Sequence, residues 1–390
     1  MPIFQELFEP CSTQQADLNN MMHHPCIMDL IDPIDPADVP DNLRIERHAI
    51  WLQRLPHSEN KGSSRRHARV SFVAIDMFGL TSHPTIRMFT EFLPNLKGAA
   101  GQAMGQKDSS AQPIVEICSG PGTPLIILPG SSGSIARFYG LRRHFRGPLW
   151  AIPITDPKTT PLESVTALVG FWKDRIREKR PRGPYRLAGF SSSAVLAVVL
   201  AKLLEDEGEE VEQLNFIDNF PAMWIREEAA GFLRRATAAE HIDFIAKYVV
   251  DLLRSDPSVS ADSVATYDAA FRGLPDASAA SRREVQISNL VTGIIVQFLK
   301  DFYSGTTTTP YGAFAERLTG WLSSVKAPLV LLVAEHGVVA SPGGAWPDLG
   351  ASRIRKPVTV HYVKGVGHFG IFNEKVARIL ELPTKFSAKL

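Results

Sequence analysis

The chain has 390 residues, 44% of them hydrophobic and 21% charged, with 42 Lys and Arg against 41 Asp and Glu. That balance excludes a global electrostatic pull toward nucleic acid or a membrane surface, and the length supports one large core plus an additional segment. Cys11, Cys26 and Cys118 are isolated thiols without Cys-x-x-Cys spacing, which argues against a disulfide framework and for a reducing compartment.

In chain order, Met1-Pro2-Ile3-Phe4-Gln5-Glu6 lacks the basic start and apolar core of a signal peptide. No apolar run reaches the roughly 18 residues of a membrane span, so a cytoplasmic location is expected. Residues 1–62 are rich in Pro, Asp and His, with Asp32-Pro33-Ile34-Asp35-Pro36 in the middle, and read as an irregular N-terminal arm. His23, His24 and Cys26 cluster there, but one cluster in such an arm is weak grounds for a metal site and none is expected. Residues 63–97 carry two apolar stretches, Val70–Phe78 and His83–Phe89, and residues 98–120, with Gly, Ala, Gln and Ser, read as a linker.

From residue 121 to 390 the pattern alternates. Strands are expected at 124–128, 149–154, 185–189, 214–217, 328–333 and 358–363, and Leu162, Val165, Val169, Trp172 and Ile176 mark an amphipathic crossover helix. This alternation predicts an α/β fold with a mostly parallel sheet and helices on both faces. Arg175, Arg177, Lys179, Arg180 and Arg182 form a basic run at a helix end, read as a solvated face that complements the helix dipole in preference to a dock for an acidic partner. Residues 222–322 have helical periodicity and no convincing strand, which fits an inserted helical lid. Its apolar residues, including Phe244, Ile245, Tyr248, Val249, Ile294, Ile295 and Phe298, are read as helix-packing core ahead of substrate contacts.

Chemistry concentrates at strand ends. Tyr185–Gly189 is a short strand that runs into Gly189-Phe190-Ser191-Ser192-Ser193 and then into the apolar helix Ala194–Leu204. That is the setting of a nucleophile elbow, in which a sharp turn lifts the serine hydroxyl above a sheet and a small residue is needed at Gly189. Ser193 stands where the usual Gly-x-Ser-x-Gly pattern has glycine, and if its hydroxymethyl strains the turn, a glycine variant should be at least as active. Asp218 ends the next strand, where ligands and catalytic groups gather in open α/β sheets. Val366-Gly367-His368-Phe369-Gly370 follows the last strand. The order Ser191, Asp218, His368 is the Ser…Asp…His order of α/β-hydrolases. His144, His241, His336 and His361 lack that context and read as structural or surface residues. Upstream, Pro129-Gly130-Ser131-Ser132-Gly133-Ser134 is a Gly/Ser-rich loop able to turn backbone N–H groups inward. It lacks the spacing and lysine of a phosphate-binding loop.

Taken together, Gly183-Pro184-Tyr185-Arg186-Leu187-Ala188-Gly189-Phe190-Ser191, Phe216-Ile217-Asp218, Gly367-His368-Phe369 and the 124–134 loop resemble a type I thioesterase domain over roughly residues 121–390. Such domains release products from fatty acid, polyketide and nonribosomal peptide synthases. The resemblance implies an α/β-hydrolase fold and a lid that lines an acyl pocket. It also implies Asp218 as the acid in preference to Glu335, which follows the penultimate strand. It implies oxyanion donors at the backbone N–H of Ser131 and Ser192. Residues 63–97 resemble part of an acyl or peptidyl carrier domain, read as a remnant because the attachment serine is missing; His57-Ser58-Glu59 is its nearest imitation.

The expected function is a serine thioesterase that cleaves or cyclises an acyl, polyketide or peptidyl chain. The chain is presented on phosphopantetheine by a carrier protein or upstream synthase module, and no metal or redox cofactor is required. Two alternatives stand beside it: a free-standing carboxylesterase-like hydrolase, and a catalytically inactive interaction module.

Overall fold

The computed structural model describes residues 114–235, 237–274, 277–303, 311–340 and 346–381, together with two short strands at 52–54 and 70–72. The chain falls into two units, residues 1–75 with 83–100 and residues 76–82 with 101–390. In the first, β1 (Leu52–Arg54) pairs antiparallel with β2 (Val70–Phe72), so that Leu52 faces Phe72. One strand thus comes from the segment read as an irregular arm and its partner from the carrier-like segment. The rest of both segments lies outside the described residues.

The second unit is built on a seven-stranded sheet. Its strands are β3 (Val115–Cys118), β4 (Leu125–Leu128), β5 (Leu149–Ala151), β6 (Tyr185–Phe190), β7 (Val211–Ile217), β8 (Leu329–His336) and β9 (Val358–Gly367), in the order β3-β5-β4-β6-β7-β8-β9. All neighbours are parallel except β3, which pairs antiparallel with β5. The mostly parallel α/β sheet expected from the alternation is therefore present. One strand was not anticipated. Val115-Glu116-Ile117-Cys118 lies within the stretch read as linker, because four residues between Pro113 and Gly120 are too few to show a period against Gly- and Ser-rich flanks.

Both faces of the sheet are covered, which is why the central strands are apolar at nearly every position. In β4, Ile126 and Leu128 enter one core cluster and Leu125 and Ile127 the other, and in β8 Leu331 and Leu332 divide the same way. The first face receives α1 (Val165–Lys179) and α2 (Ser193–Asp206). Helix α1 starts where the Ser164 side chain accepts from Ala167 N–H at 3.1 Å, and it buries Val165, Leu168, Val169, Trp172 and Ile176. Helix α2 is buried almost all round, and its Glu205 carboxylate caps the approach to β8 by accepting from Lys326 and Ala327 N–H at 2.8 Å each. The basic run at the end of α1 is matched by glutamates: Arg177 with Glu207 at 2.6 Å, Arg182 with Glu209 at 2.9 Å and Lys179 with Glu116 at 3.1 Å.

Between β7 and β8 lie α3 (Glu227–Arg235), α4 (Ala238–Ser255), α5 (Ala261–Phe271), α6 (Ala279–Asp301) and α7 (Tyr311–Ser323), with no strand among the described residues. Side-chain caps start three of them: Thr237 with Glu240 in a capping box, Ser260 and Ser278. The last helix, α8 (Glu374–Glu381), buries Val376, Ala377 and Leu380 in the second core cluster. Among the described residues no helix is long and apolar enough to cross a membrane.

Candidate active site

Strand order places the site. The chain leaves β4 for β5 on one side and returns past β4 to β6 on the other, so the loops after β4 and β6 meet at a topological switch point, where open α/β sheets take their ligands. The loop after β4 is Pro129–Ser134, and β6 ends at Phe190, directly before Ser191. Registers bring the partners alongside: Phe190 pairs with Ile217, and Ile217 with Leu332. Ser191 and Asp218 therefore follow directly on aligned residues of adjacent parallel strands.

Ser191 has φ 55°, in the left-handed region that costs a side-chain-bearing residue of order 1–3 kcal/mol and persists where the surroundings over-determine it. Its N–H donates to Ile217 C=O at 3.0 Å, and its own C=O accepts from Ala194 N–H at 3.0 Å, opening α2. Gly189 must be glycine, because a Cβ there would overlap the Ser193 carbonyl and come within 2.9 Å of Ala197 Cβ. Ser193, the departure from the usual pattern, is 1% exposed, and its hydroxyl donates to Pro129 C=O. The extra hydroxymethyl ties the elbow to the start of the loop after β4.

His368 Nε2 lies 2.9 Å from Ser191 Oγ, and its Nδ1 lies 2.7 Å from Asp218 Oδ2. The ring is 1% exposed and Asp218 fully buried. Asp218 also accepts from Ala334 N–H at 2.8 Å and Val338 N–H at 3.1 Å, so the backbone at the end of β8 and just beyond it holds both carboxylate oxygens. Gly337 makes this possible, since a Cβ on it would overlap the Asp218 carboxylate. Glu335 is half exposed and accepts from Gly365 N–H at 2.7 Å, joining β8 to β9 away from His368. The other histidines are elsewhere: His336 lies 3.9 Å from Glu335, and buried His241 contacts Thr237 C=O at 2.7 Å.

Gly130 and Ser131 border Ser191; a Cβ on Gly130 would sit 3.5 Å from Ser191 Cβ. Among the described residues, no backbone or side-chain acceptor engages the N–H of Ser131 or of Ser192. Ser131 Oγ is held from the lid, accepting from Ser288 at 2.8 Å.

Several contacts of the site carried no sequence signal. Phe190 stacks on the His368 ring at 4.8 Å, and Phe369 packs edge-on against it at 4.8 Å. Arg137 lies 4.5 Å over the Phe369 ring and donates to Phe369 C=O at 3.2 Å. Asp256, capping α4, accepts from Phe369 and Gly370 N–H and so binds the lid to the histidine loop. Phe190 and Phe369 stand inside the motifs around Ser191 and His368, but their packing on the ring, like the contacts of Arg137 and Asp256, arises from long-range packing that nothing local in the sequence marks.

A cavity of about 430 Å³ opens on Ser191 and His368 and runs beneath the lid. Phe244, Ile245, Tyr248 and Val249 of α4 line it, as does Ile295, whereas Ile294 and Phe298 belong to the core packing. Tyr248 and Ile295 also pack in that core, so the expectation of plain helix-packing core is corrected for Phe244, Ile245 and Val249. An amphipathic stripe is the same pattern whether it faces a core or a cavity.

The model of the thioesterase domain family matches residues 123–382. The highly reducing polyketide synthase stpks1 of Strobilurus tenacellus is 33% identical over 283 residues, 67% of this chain and 10% of its own. The nonribosomal peptide synthetase apvA of Aspergillus terreus is 28% identical over 164 residues, 41% of this chain and 17% of its own. The match thus spans a small part of each relative's length. A crystal structure of a holo four-domain nonribosomal peptide synthetase bound to AMP and glycine aligns over 77% of this chain and 21% of its own, with a TM-score of 0.48 and 17% identity.

Proposed function

Because the chain belongs to the thioesterase domain family, we propose that it releases an acyl, polyketide or peptidyl chain from a pantetheine thioester through an acyl-serine on Ser191. The observation that supports this most is the unbroken relay from Ser191 Oγ to His368 Nε2 at 2.9 Å and from His368 Nδ1 to Asp218 at 2.7 Å, beside a cavity able to take a chain.

In this reading Ser191 Oγ attacks the thioester carbonyl while His368 Nε2 takes its proton. The carbonyl oxygen becomes an oxyanion between the N–H groups of Ser131 and Ser192, each worth about 3 kcal/mol in comparable sites. Collapse breaks the C–S bond, and the departing thiolate receives the proton from His368. Water, or a nucleophile within the chain, then attacks the acyl-serine while His368 acts as base again and returns the proton to Ser191. Asp218, fixed by two backbone donors, keeps the Nδ1–H tautomer and stabilises the imidazolium. Only side chains and backbone donors act in these steps, and the pantetheine arm belongs to the substrate. A carrier protein or synthase module would deliver it.

A serine-directed fluorophosphonate is expected to label Ser191, with labelling abolished in Ser191→Ala, and a pantetheine thioester to be turned over faster than a nitrophenyl ester. Labelling at Ser131, Ser132 or Ser192 would overturn the assignment. A preference for the oxygen ester would move the protein to the carboxylesterase class, and an unlabelled, folded protein would mark it as an interaction module.

A further inference from the structure

The cavity beneath the lid is lined mostly by apolar side chains, among them Phe232, Phe244, Ile245, Val249 and Phe271, with Val285, Ile295 and Val296 of α6. On α6, however, Glu284, Ser288 and Thr292 recur every fourth residue and so share one face, and all three line the cavity while being only 7%, 4% and 7% exposed. Buried polar groups are costly in an apolar pocket unless something hydrogen-bonds them. Glu284 accepts from the Tyr267 hydroxyl, and a carboxylate can accept at up to about four positions, so that bond orients the group rather than exhausting it. The other charged residues on the lining are disposed differently. Arg137 is engaged with Phe369, and Arg226 pairs at 3.8 Å with Glu228, whose side chain is 80% exposed.

The stripe has a fixed place relative to the reacting carbonyl. Ser288 donates to Ser131 Oγ at 2.8 Å, which sets the middle of the stripe beside the loop after β4. Glu284 and Thr292 lie one helical turn to either side, about 6 Å along the axis.

We propose that the Glu284–Ser288–Thr292 face selects acyl chains bearing a hydrogen-bond donor, a hydroxyl or an amide N–H, a few atoms from the thioester carbonyl, over plain hydrocarbon chains. The proposal rests on the reading of Ser191 as the acylated residue. All three side chains offer acceptor oxygens, and a plain chain would cover them without replacing the water it displaces. A site built to hydrogen-bond its ligand rejects the analogue that lacks the group far more strongly than an apolar site rejects an added hydroxyl.

The test separates this proposal from catalysis. Stable octanoyl amides, in which N–H replaces the thioester sulfur, are titrated into the Ser191→Ala protein, one analogue plain and the others each carrying one hydroxyl at a different carbon. At least one hydroxylated analogue is expected to bind about tenfold or more tightly than the plain one. Glu284→Leu or Thr292→Val, each added to Ser191→Ala, is expected to bring that ratio toward one. Equal binding of all analogues, binding of none, or a preference that survives both substitutions would overturn the proposal. Should Glu284→Leu fail to fold, the parent ratio and Thr292→Val decide. Fluorophosphonate labelling of the wild-type chain, run in parallel, reports separately on Ser191.

Discussion

Asp256 and Gly370 meet across a long stretch of sequence: the carboxylate of the first, at the end of lid helix α4, accepts from the N–H of the second at 3.1 Å, just beyond His368. The same oxygen accepts from Phe369 N–H, while the other is held by Ser258 N–H at 2.8 Å. Gly367 leaves room for this, since a Cβ on it would overlap Asp256. The lid is therefore bonded directly to the loop that carries the histidine.

Asp256→Ala is expected to lower kcat about tenfold with KM within about twofold, because two part-buried N–H groups lose their acceptor, worth about 1–3 kcal/mol each at most, and the histidine loop loosens. Asp256→Asn, which keeps one acceptor oxygen, should fall between. Steady-state kinetics and the rate of fluorophosphonate labelling check this. A drop in melting temperature with unchanged kcat would reduce Asp256 to a structural cap.

Asp218→Asn is expected to cost up to about four orders of magnitude in turnover, since the amide favours the wrong histidine tautomer. Glu335→Gln should keep most activity, because Glu335 bonds Gly365 and not His368. Turnover of both purified variants, with circular dichroism to establish folding, separates the two carboxylates. The reverse pattern would move the acid to Glu335.

Ser193→Gly is now expected to be less active than the parent, against the expectation from the motif alone. Removing the hydroxyl leaves the buried Pro129 carbonyl without its donor and costs about 1–3 kcal/mol. It also frees the loop that carries Ser131. Thermal melting and kcat for Ser193→Gly and Ser193→Ala provide the measurement; a glycine variant equal to or better than the parent would show that the tie is dispensable.

A chain begun at residue 121 is expected to melt about 5–10 °C below one begun at residue 114, when both are compared by calorimetry. Removing β3 exposes the pocket that buries Ile117 and Cys118 and leaves Leu149-Trp150-Ala151 as an unprotected apolar edge. Equal melting temperatures would mean that β3 contributes nothing to stability.

How much was legible followed from how local each signal was. Strands such as Leu125–Leu128 and the first part of Val358–Gly367, read as 358–363, announced themselves because runs of branched apolar residues flanked by Pro or Gly admit few other structures. The placement of Ser191, Asp218 and His368 at strand ends was readable for the same reason: each directly follows a recognisable strand. What the sequence withheld was non-local. The four residues of β3 are too short to show a period, and Asp256 bonds Phe369 across more than a hundred residues. The α4 stripe, Phe244 to Val249, has the same spacing whether it meets a core or a cavity. Ser193 is the instructive middle case. Its departure from pattern was visible at once, but its acceptor, Pro129, lies on another strand's loop.

Gly337 offers a means of sorting sequences by what has been lost. The residue adds no group to the chemistry, yet the space around the Asp218 carboxylate exists only because position 337 has no side chain. A homologue with any other residue there could keep its serine, aspartate and histidine intact in an alignment and still be unable to assemble them as they stand here. Triad letters alone would then count as active a chain whose acid has been displaced. A glycine three residues after the apolar run of β8 is a cheap second mark that the carboxylate still has its seat.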